Sequence, residues 1–530
     1  MDTRQYIEEG RAVLGIELGS TRIKAVLIDG EGKILAKGGF DWENHLVDGI
    51  WTYSLPEVWQ GLQSCYRDLT KRVQKEYGVT LKKLSALGIS GMMHGYMPFD
   101  REGQLLTPFR TWRNNITGPA ARELTELFRY NIPQRWSVAH LYQAILNGEE
   151  HVKDVDYITT LSAYVHWQLT GQRVLGVGDA SGMFPIDIDR QDYRQDMLDA
   201  FDRLVAPKGY PWKLRQILPR VLTAGQPAGC LTAEGAALLD PLGNLEPGVP
   251  LCPPEGDAGT GMVATNCIRE RRGNVSAGTS AFAMLVLEKE LSRVYTQLDM
   301  VTTPVGKLVA MAHSQNCTSA INDWVGLLGE TLEAFGLQAD EGRLYETLFL
   351  KAKEGDADCG GLLPYCFYSG EHGVELTKGM PMVMHPANAR FNLANFMRAQ
   401  LYTCFGAMKL GMDILVKEEK AAMDQMLGHG GIFKTPGVAQ GILAAALNVP
   451  VAVMETAGEG GAWGIALLAA YLGRACAGCT LEDYLDGTVF KDSPMTVMQP
   501  APEEVKGYEA FMERYKKGLA AERAAVECLL

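Results

Sequence analysis

The sequence predicts an α/β fold with two large domains, and three observations support this prediction. Strand-like and helix-like segments alternate along the chain, which is typical of α/β proteins. A block of strand, glycine-containing turn and strand occurs near the start and again near the middle. The length of 530 residues exceeds what a single hydrophobic core usually holds, so two domains are expected.

The pattern of apolar and turn residues over 12–91 predicts three strands, a helix and a fourth strand. The first strands are expected over 12–18, 23–29 and 33–40, joined by tight turns at 19–21 and 30–32. Segment 54–78 has apolar residues at helical spacing, with Ser54 as the N-cap and Pro56 in the first turn. Residues 84–91 return to a strand, which completes one α/β unit.

Residues 273–288 repeat the pattern of strand, Gly-Thr-Ser turn and strand. A strand is then expected over 307–313, and helices over 320–336 and 391–415. We interpret the chain as two copies of one α/β unit, with domains at 1–265 and 266–530. The end of the chain predicts a core-packing amphipathic helix, whose apolar stripe is Val505, Tyr508, Phe511, Tyr515 and Leu519.

The net charge and the cysteines limit the classes of partner and compartment. The formal net charge of −13 argues against a dedicated nucleic-acid or anionic-membrane binder. No apolar run reaches the roughly 20 residues that span a membrane, and the polar N-terminus is unlike a signal peptide. Eleven cysteines without a repeating spacing suit a reducing cytoplasm, and Cys476 and Cys479 are interpreted as buried thiols. We expect a cytoplasmic enzyme or sensor.

The two glycine-containing turns are candidate phosphate-binding sites. They are Gly19-Ser20-Thr21 and Gly278-Thr279-Ser280. Successive backbone N–H groups in such turns form an anion-binding nest, hydroxyls add donors, and Lys24 adds a charge. Either turn alone is more often an ordinary hairpin turn. Two matching turns in matching strand contexts favour one nucleotide held from both sides.

Asp257 lies in the glycine-rich segment PPEGDAGTGMVATN, next to the expected domain boundary. One interpretation is a helix N-cap, a common role for Asp beside a turn. The other is a general base that accepts the proton of an attacking hydroxyl. The position alone slightly favours the N-cap.

Glycine-rich residues 428–471 contain two helix starts separated by a strand over 449–455, at "GHGG" and "GEGG". Helix N-termini with close glycine backbone suit a nucleotide, and tight helix–strand packing explains the glycines about equally well.

Loops after two strand-like runs of the first half carry residues that suit a polyol or sugar. These loops, "GMMHG" and "TWRNN", contain Met93, His94, Trp112, Arg113 and Asn114. For His94 alone a packing role is the better interpretation, and Met93 is more often a core residue than a ligand contact.

These motifs, in this order and over nearly the whole chain, resemble the FGGY family of carbohydrate kinases. The resemblance implies a two-domain actin-like, ribonuclease-H-like ATPase fold with a cleft between the domains. It implies a sugar kinase acting on a ketopentose or related ketose or polyol, with ATP and Mg²⁺ as cofactors and Asp257 as catalytic base. The sugar would contact Asp257 and the loop residues Met93, His94, Trp112, Arg113 and Asn114. A homodimer is common in this family. The implied ATP-binding residues are Gly19, Ser20, Thr21, Lys24, Gly278, Thr279, Ser280, Gly430, Gly431 and Lys434.

Three positions depart from the pattern of the family. Glu17 and Asn114 stand where the family usually has Asp. His429 lies among the glycines of "GHGG", the segment that resembles the adenosine motif of the family. Glu17 keeps a carboxylate, so Mg²⁺ is expected near Glu17 and Asp257. Two rival functions stay open: a sugar-responsive ATP-binding sensor without catalysis, and another actin-like ATPase such as a chaperone-type ATPase.

Overall fold

A computed structural model describes residues 2–338, 340–454 and 460–530 of the chain. Within it the chain forms two compact units. The first comprises residues 2–269, 299–309 and 460–493, and the second comprises residues 270–298, 310–338, 340–454 and 494–530. No helix among the described residues is long and apolar enough to cross a membrane.

Strands and helices alternate through both units. The strands are Val13–Leu18 (β1), Arg22–Ile28 (β2), Ile34–Asp41 (β3), His45–Val47 (β4), Ile50–Thr52 (β5), Ala86–Gly91 (β6), Met97–Phe99 (β7), Tyr157–Thr159 (β8), Val174–Gly176 (β9), Ile186–Asp187 (β10), Asp192–Tyr193 (β11), Arg220–Leu222 (β12), Glu255–Gly256 (β13), Arg272–Ala277 (β14), Ala281–Val286 (β15), Leu298–Thr302 (β16), Leu308–Ser314 (β17), Leu363–Tyr365 (β18), Met382–Met384 (β19), Gln425–His429 (β20), Val451–Met454 (β21) and Met495–Met498 (β22).

The helices are Thr3–Glu8 (α1), Leu55–Tyr77 (α2), Gly118–Phe128 (α3), Ser137–Asn147 (α4), Leu161–Thr170 (α5), Val177–Ala180 (α6), Gln195–Val205 (α7), Leu214–Ile217 (α8), Ala233–Leu239 (α9), Asp257–Ala264 (α10), Ser319–Ala334 (α11), Glu341–Ala352 (α12), Leu393–Cys404 (α13), Gly406–Asp413 (α14), Ala439–Leu447 (α15), Gly460–Ala475 (α16), Leu481–Tyr484 (α17) and Pro502–Leu529 (α18).

The first unit is built on a 5-stranded sheet with the order β13-β6-β1-β2-β3. Strands β1, β2 and β3 pair antiparallel in succession, whereas β6 runs parallel to β1 and β13 runs parallel to β6. Helices α2 and α16 pack on this sheet. The predicted start of α2 is confirmed, because the Ser54 hydroxyl and the Glu57 side chain cap each other's backbone N–H.

The second unit contains a sheet in which β15, β14, β20, β21 and β22 lie side by side in that order. Strands β14 and β15 form an antiparallel hairpin, and β20 runs parallel to β14. This arrangement repeats that of β1, β2 and β6 in the first unit. The predicted second copy of the hairpin is therefore present in the fold.

The C-terminal helix α18 confirms the predicted amphipathic stripe. Tyr508, Phe511, Tyr515 and Leu519 are buried, whereas Val505 is half-buried. The helix predicted over 391–415 is instead two helices, α13 and α14, which meet at Phe405. The next residue, Gly406, fits only without a side chain, because a Cβ there would lie 2.7 Å from the Tyr515 ring.

Two other expectations differ from the structure. Residues 460–493 belong to the first unit, although the predicted boundary at 265 and 266 placed them in the second domain. The reason is tertiary packing, since α16 contacts β1, β6 and α10. All eleven cysteines are free thiols, but Cys476 is exposed and Cys479 half-buried, because they lie in the turn after α16. The glycine-rich helix start predicted at 458–461, and the last residue of the strand predicted over 449–455, lie partly outside the described residues.

Candidate active site

The predicted residues of the first half meet at one edge of the 5-stranded sheet. Strands β1, β6 and β13 are parallel, so their carboxyl ends lie at the same edge. The turn at Gly19–Thr21 follows β1, the loop with Met93 and His94 follows β6, and Asp257 follows β13. The register confirms this alignment, because Leu18 and Gly256 both pair with Gly91 of β6.

Asp257 is partly exposed and is the first residue of helix α10. The N-cap position is occupied by Gly256, so the predicted alternative of Asp257 as N-cap is wrong. Its Oδ1 atom accepts hydrogen bonds from the backbone N–H of Ala258 at 2.9 Å and of Met93 at 3.1 Å. Burial raises the pKa of Asp257, and these two N–H groups lower it. The carboxylate is thus held in place beside a loop, as a general base requires.

His94 has a strained backbone, with φ at 70°, which is uncommon for a residue other than glycine. His94 is 5% exposed, and its ring stacks on Trp136. The Nδ1 atom lies 3.1 Å from the Gly182 carbonyl oxygen. The carbonyl can only accept, so Nδ1 carries the proton in this contact. Gly182 is required here, since a Cβ would lie 2.6 Å from His94 Nδ1 and 2.8 Å from Met93 Cε. Met93 and His94 are therefore fixed against Gly182.

Trp112 and Arg113 are exposed side chains of the segment after β7. Trp112 Nε1 donates to the Ser20 hydroxyl oxygen at 3.1 Å, which joins this segment to the first glycine-containing turn. The Arg113 guanidinium lies over the Trp51 ring, 3.8 Å from its centroid. Both residues are predicted to contact the sugar and lie on the same segment. Trp112 contacts Ser20, whereas Arg113 contacts Trp51.

Asn114 is buried, and its amide contacts backbone groups. The side-chain oxygen accepts the Trp51 N–H at 2.9 Å, and Nδ2 donates to the carbonyls of Trp51 at 2.8 Å and Thr111 at 3.0 Å. A carboxylate has no N–H to donate, so an Asp could not satisfy both carbonyls. This explains Asn at a position where Asp is expected, and it makes Asn114 a residue that positions the segment.

The first glycine-containing turn is closed by the Gly19 N–H, which donates to the Arg22 carbonyl at 3.1 Å. Its three carbonyl oxygens accept hydrogen bonds from aromatic residues. The Tyr53 hydroxyl donates to the Ser20 carbonyl at 2.5 Å, and the two N–H groups of Trp42 donate to the carbonyls of Gly19 and Thr21. These hydrogen bonds hold the three carbonyl groups of the turn in place.

Glu17 is paired across the sheet with Lys24, which lies on β2. Its carboxylate lies against the first turn of α16, where the backbone N–H groups of Gly461 and Ala462 lower its pKa. Burial raises the pKa of Glu17, Lys24 lowers it and the nearby charge of Asp257 raises it, and the net result is a pKa of about 7. Sequence reasoning did not foresee this contact with α16.

Glu17 and Asp257 fit a magnesium site of the kind that shares the ion with a nucleotide. Mg²⁺ is often held by one or two carboxylates together with substrate phosphates and water. The two carboxylates act on each other electrostatically, and a divalent cation would relieve that repulsion. In the part of the chain that the structure describes, no group of three or more His, Cys, Asp or Glu side chains forms a complete metal site.

Two further pairs of polar residues lie at this sheet edge and were not predicted. The Thr260 and Ser90 hydroxyl oxygens are 3.1 Å apart, behind Glu17. Asp179 and Glu255 are fully buried, and burial raises their pKa to about 7 and about 8. Asp179 accepts hydrogen bonds from two hydroxyls, and Glu255 accepts the N–H of Asp179. An acidic residue directly before Gly256-Asp257 was the available sequence signal.

The second unit contains a cavity of about 650 Å³ beside its own glycine-containing turn. Three residues predicted to bind ATP line it: Gly278, Gly431 and Lys434. Helices α11 and α12 supply the facing wall, including Asn322, Tyr345 and Phe349, which sequence reasoning missed. The volume falls in the range of ordinary small-ligand sites.

The two turns at this cavity are held by backbone contacts. Gly430 has φ at 112°, and a Cβ there would lie 2.2 Å from the Ala277 carbonyl, so only glycine fits. The Thr318 hydroxyl donates to the Gly278 carbonyl at 2.8 Å, and the Cys317 N–H donates to the Thr279 carbonyl at 2.9 Å. The cavity residues therefore lie on a fixed scaffold. Thr279 and Ser280 belong to the same turn and do not line the cavity as described.

His429 is the last residue of β20, directly before Gly430. Burial lowers its pKa to about 4, which keeps the ring neutral near pH 7. The third departure from the expected motif therefore adds no positive charge beside Gly430 and Gly431.

Comparisons with known proteins match both halves of the chain to one family. Residues 12–263 match the N-terminal domain, and residues 273–473 the C-terminal domain, of the FGGY family of carbohydrate kinases. The chain is similar to a xylulose kinase of Lactococcus lactis subsp. lactis (strain IL1403), with 21% identity over 516 residues that cover 95% of this chain and 96% of the relative. It is 24% identical over 293 residues to a xylulose kinase of Escherichia coli (strain K12), covering 53% of this chain and 55% of that relative.

The fold is similar to that of a solved xylulose kinase from Lactobacillus acidophilus. The TM-score is 0.79 at 16% identity, and the match covers 97% of this chain and 99% of that chain. At this identity the likeness concerns the fold, and the matches to both family domains identify the enzyme class. The chain belongs to the FGGY family of carbohydrate kinases, and it is an ATP-dependent sugar kinase with the two-domain actin-like ATPase fold.

Proposed function

We propose that this kinase phosphorylates a ketopentose or a related ketose or polyol, with Asp257 as general base. The observation that carries the proposal is the position of Asp257. It follows β13 at the carboxyl edge of the sheet, next to the Met93 and His94 loop, with its carboxylate held by two backbone N–H groups. The similarity to xylulose kinases supports a ketopentose as the first substrate to test.

The sugar is proposed to bind in the first unit, near His94, Trp112 and Arg113. His94 donates its Nδ1–H to Gly182, which fixes the ring in the loop whose Met93 N–H contacts Asp257. The partly exposed indole of Trp112 offers an apolar face to the carbon side of a sugar ring or chain. The role proposed for Asn114 is to position this segment, because its side-chain amide forms hydrogen bonds with backbone groups.

Phosphoryl transfer is proposed to begin with a sugar hydroxyl that donates to the Asp257 carboxylate. As the new bond forms between the sugar oxygen and the γ-phosphorus, the proton moves to Asp257 and the bond from that phosphorus to the β,γ-bridging oxygen breaks. ADP leaves with the electron pair of the broken bond. Positioning and charge stabilisation contribute most of the rate, and a positioned base adds about 10²–10⁴-fold.

ATP is proposed to bind with its adenosine in the 650 Å³ cavity of the second unit, near Gly430 and Gly431. Each glycine-containing turn is proposed to bind phosphate within its own unit, with Lys24 as a positive charge in the first unit and Lys434 in the second. Glu17 and Asp257 would hold Mg²⁺, which when bound neutralises charge on the phosphate oxygens. The cytoplasmic location and the homodimer stay predictions.

ADP release measured across a panel of ketopentoses, ketohexoses and polyols tests this function. We expect one class to stimulate ADP release well above the rate without sugar, with one sugar phosphate formed per ADP. The same ATP consumption with and without every sugar would favour a chaperone-type ATPase. Sugar and ATP binding without ADP release would favour a sensor.

A further inference from the structure

A hydrogen bond joins the segment that carries the proposed sugar contacts to the first phosphate turn. Trp112 Nε1 lies 3.1 Å from the hydroxyl oxygen of Ser20, although the residues are 92 positions apart in the chain. The Trp112 side chain is 37% exposed, so burial alone does not dictate this orientation of the indole.

The chemistry of the two groups fixes the direction of this bond. An indole N–H is only a donor, whereas a serine hydroxyl can donate one hydrogen bond and accept two. Trp112 must therefore donate and the Ser20 oxygen must accept. The Ser20 O–H is then left to donate elsewhere, and an oxygen of a bound phosphate is a strong acceptor.

Other contacts hold both Ser20 and the segment of Trp112 in place. The Ser20 carbonyl accepts the Tyr53 hydroxyl at 2.5 Å, and the Tyr53 ring stacks on Trp42 with centroids 4.2 Å apart. The Asn114 side-chain amide forms hydrogen bonds with the backbone N–H and the carbonyl of Trp51. These bonds fix the segment that carries Trp112.

We propose that Trp112 is a positioning residue that orients the Ser20 hydroxyl as a hydrogen-bond donor to a phosphate oxygen of ATP. The inference rests on the proposed function, in which the Gly19–Thr21 turn contacts phosphate. It goes beyond that function because it gives Trp112 an effect on ATP that does not pass through the sugar. One side chain then serves the proposed sugar segment and the phosphate turn.

A double-mutant cycle tests the proposal with the variants Trp112→Phe, Ser20→Ala and the double variant. The readout is kcat/KM for ATP at a saturating concentration of the sugar that the wild type turns over. We expect Ser20→Ala to lower it about 10- to 100-fold, as for loss of a bond to a charged group, and Trp112→Phe about 5-fold. The double variant should match Ser20→Ala alone, because Trp112 acts through that hydroxyl.

Ser20→Thr keeps a hydroxyl and should retain most of the sensitivity to Trp112→Phe. Trp59→Phe is the matched control, because it removes an indole bond of 3.2 Å to the Tyr164 hydroxyl elsewhere in the same unit. This control should leave kcat/KM for ATP unchanged. Thermal unfolding of each variant separates loss of fold from loss of the hydrogen bond.

Additive effects of the two substitutions would overturn the inference and leave the proposed function standing, since Trp112 would then act on the sugar alone. An unchanged KM for ATP and kcat in Ser20→Ala would overturn both the inference and the phosphate role of the turn. An effect of Trp112→Phe confined to KM for the sugar would also contradict the inference.

Discussion

The Glu17 carboxylate lies against Gly461 in the first turn of helix α16, and the backbone N–H of Gly461 lowers its pKa. A Cβ at position 461 would lie 2.3 Å from Glu17 Oε1, so the contact depends on glycine. The N-terminus of a helix carries partial positive charge and stabilises an anion. Glu17 is one methylene longer than the Asp expected here, and its carboxylate joins the β1 strand to α16. The longer side chain therefore has a structural role in addition to its charge.

Gly461→Ala should displace the Glu17 carboxylate and lower turnover, because the new methyl group would also lie 2.7 Å from Thr260 Oγ1. We expect kcat to fall about 10-fold or more, a loss like that from disturbing outer-shell partners of a metal ligand. Gly473→Ala is the control on the same helix, since a Cβ there meets no atom within 4 Å. Steady-state kinetics of both variants measure the difference. Equal kcat values would mean that the contact does not matter for the reaction.

Glu17→Gln should impair turnover much more than Glu17→Asp. Gln removes the carboxylate proposed to hold Mg²⁺, whereas Asp keeps the charge and loses only reach towards α16. We expect the Mg²⁺ concentration for half-maximal activity to rise about 10- to 100-fold in Glu17→Gln. Titration of activity with Mg²⁺ at fixed ATP provides the measurement. Mild and equal effects of both variants would show that Glu17 is only a strand residue.

Asn114→Asp should destabilise the protein, because a buried carboxylate would face the carbonyl oxygens of Trp51 and Thr111 without a proton to donate. Leaving such groups unpaired costs about 1–3 kcal/mol. The free energy of unfolding in urea measures the loss, with exposed Asn115→Asp as the control. Normal stability together with a raised KM for the sugar would instead assign the Asn114 amide to sugar binding.

The buried ring of His140 should make the folded protein less stable in mild acid than at neutral pH. Its ring is fully buried and stacks on Tyr96, and among the described residues neither ring nitrogen has a hydrogen-bond partner. Burial, with a smaller contribution from the charge of Arg110, lowers the pKa of His140 to about 3. The folded state therefore disfavours the proton that the unfolded chain binds below about pH 6.5. The stability is present above that pH and is lost as the pH falls towards 3.

His140→Phe should remove this pH dependence while keeping an aromatic ring. Between pH 7.5 and pH 5, the wild type should lose about 2 kcal/mol that the variant retains. The apparent unfolding temperature at the two pH values shows the difference, and exposed His385→Phe is the control. The same acid sensitivity in His140→Phe and wild type would contradict the assignment.

Much of the first unit could be predicted from local signals. Strands β1, β2 and β6 have clear runs of apolar residues, and Ser54 with Glu57 forms a capping box that marks the start of α2. The candidate site followed in part from order along the chain, because Ser20 and Met93 lie two residues after strands that the sequence predicts, whereas Asp257 follows β13, a strand that it did not predict. Parallel pairing of those strands then brings the three residues to one sheet edge.

What could not be predicted depends on contacts between distant segments. Nothing local shows that Gly461 meets Glu17, and the assignment of α16 to the first unit follows from packing on β1 and β6. Asn114 resembles a sugar ligand in sequence, and only its contacts with Trp51 show a positioning role. The cavity wall at Tyr345 was missed because α12 has no motif that indicates a nucleotide.

The most direct test of the account is Asp257→Asn, measured for both catalysis and sugar binding. Turnover is followed by ADP release at saturating ATP and sugar, and sugar binding by calorimetry without ATP. Exposed Asp199→Asn is the control. We predict that kcat falls about 10²–10⁴-fold while the Kd for the sugar changes little, because the base accepts a proton only as the hydroxyl reacts. Turnover near the wild-type rate with normal sugar binding would contradict the role of Asp257 as the base.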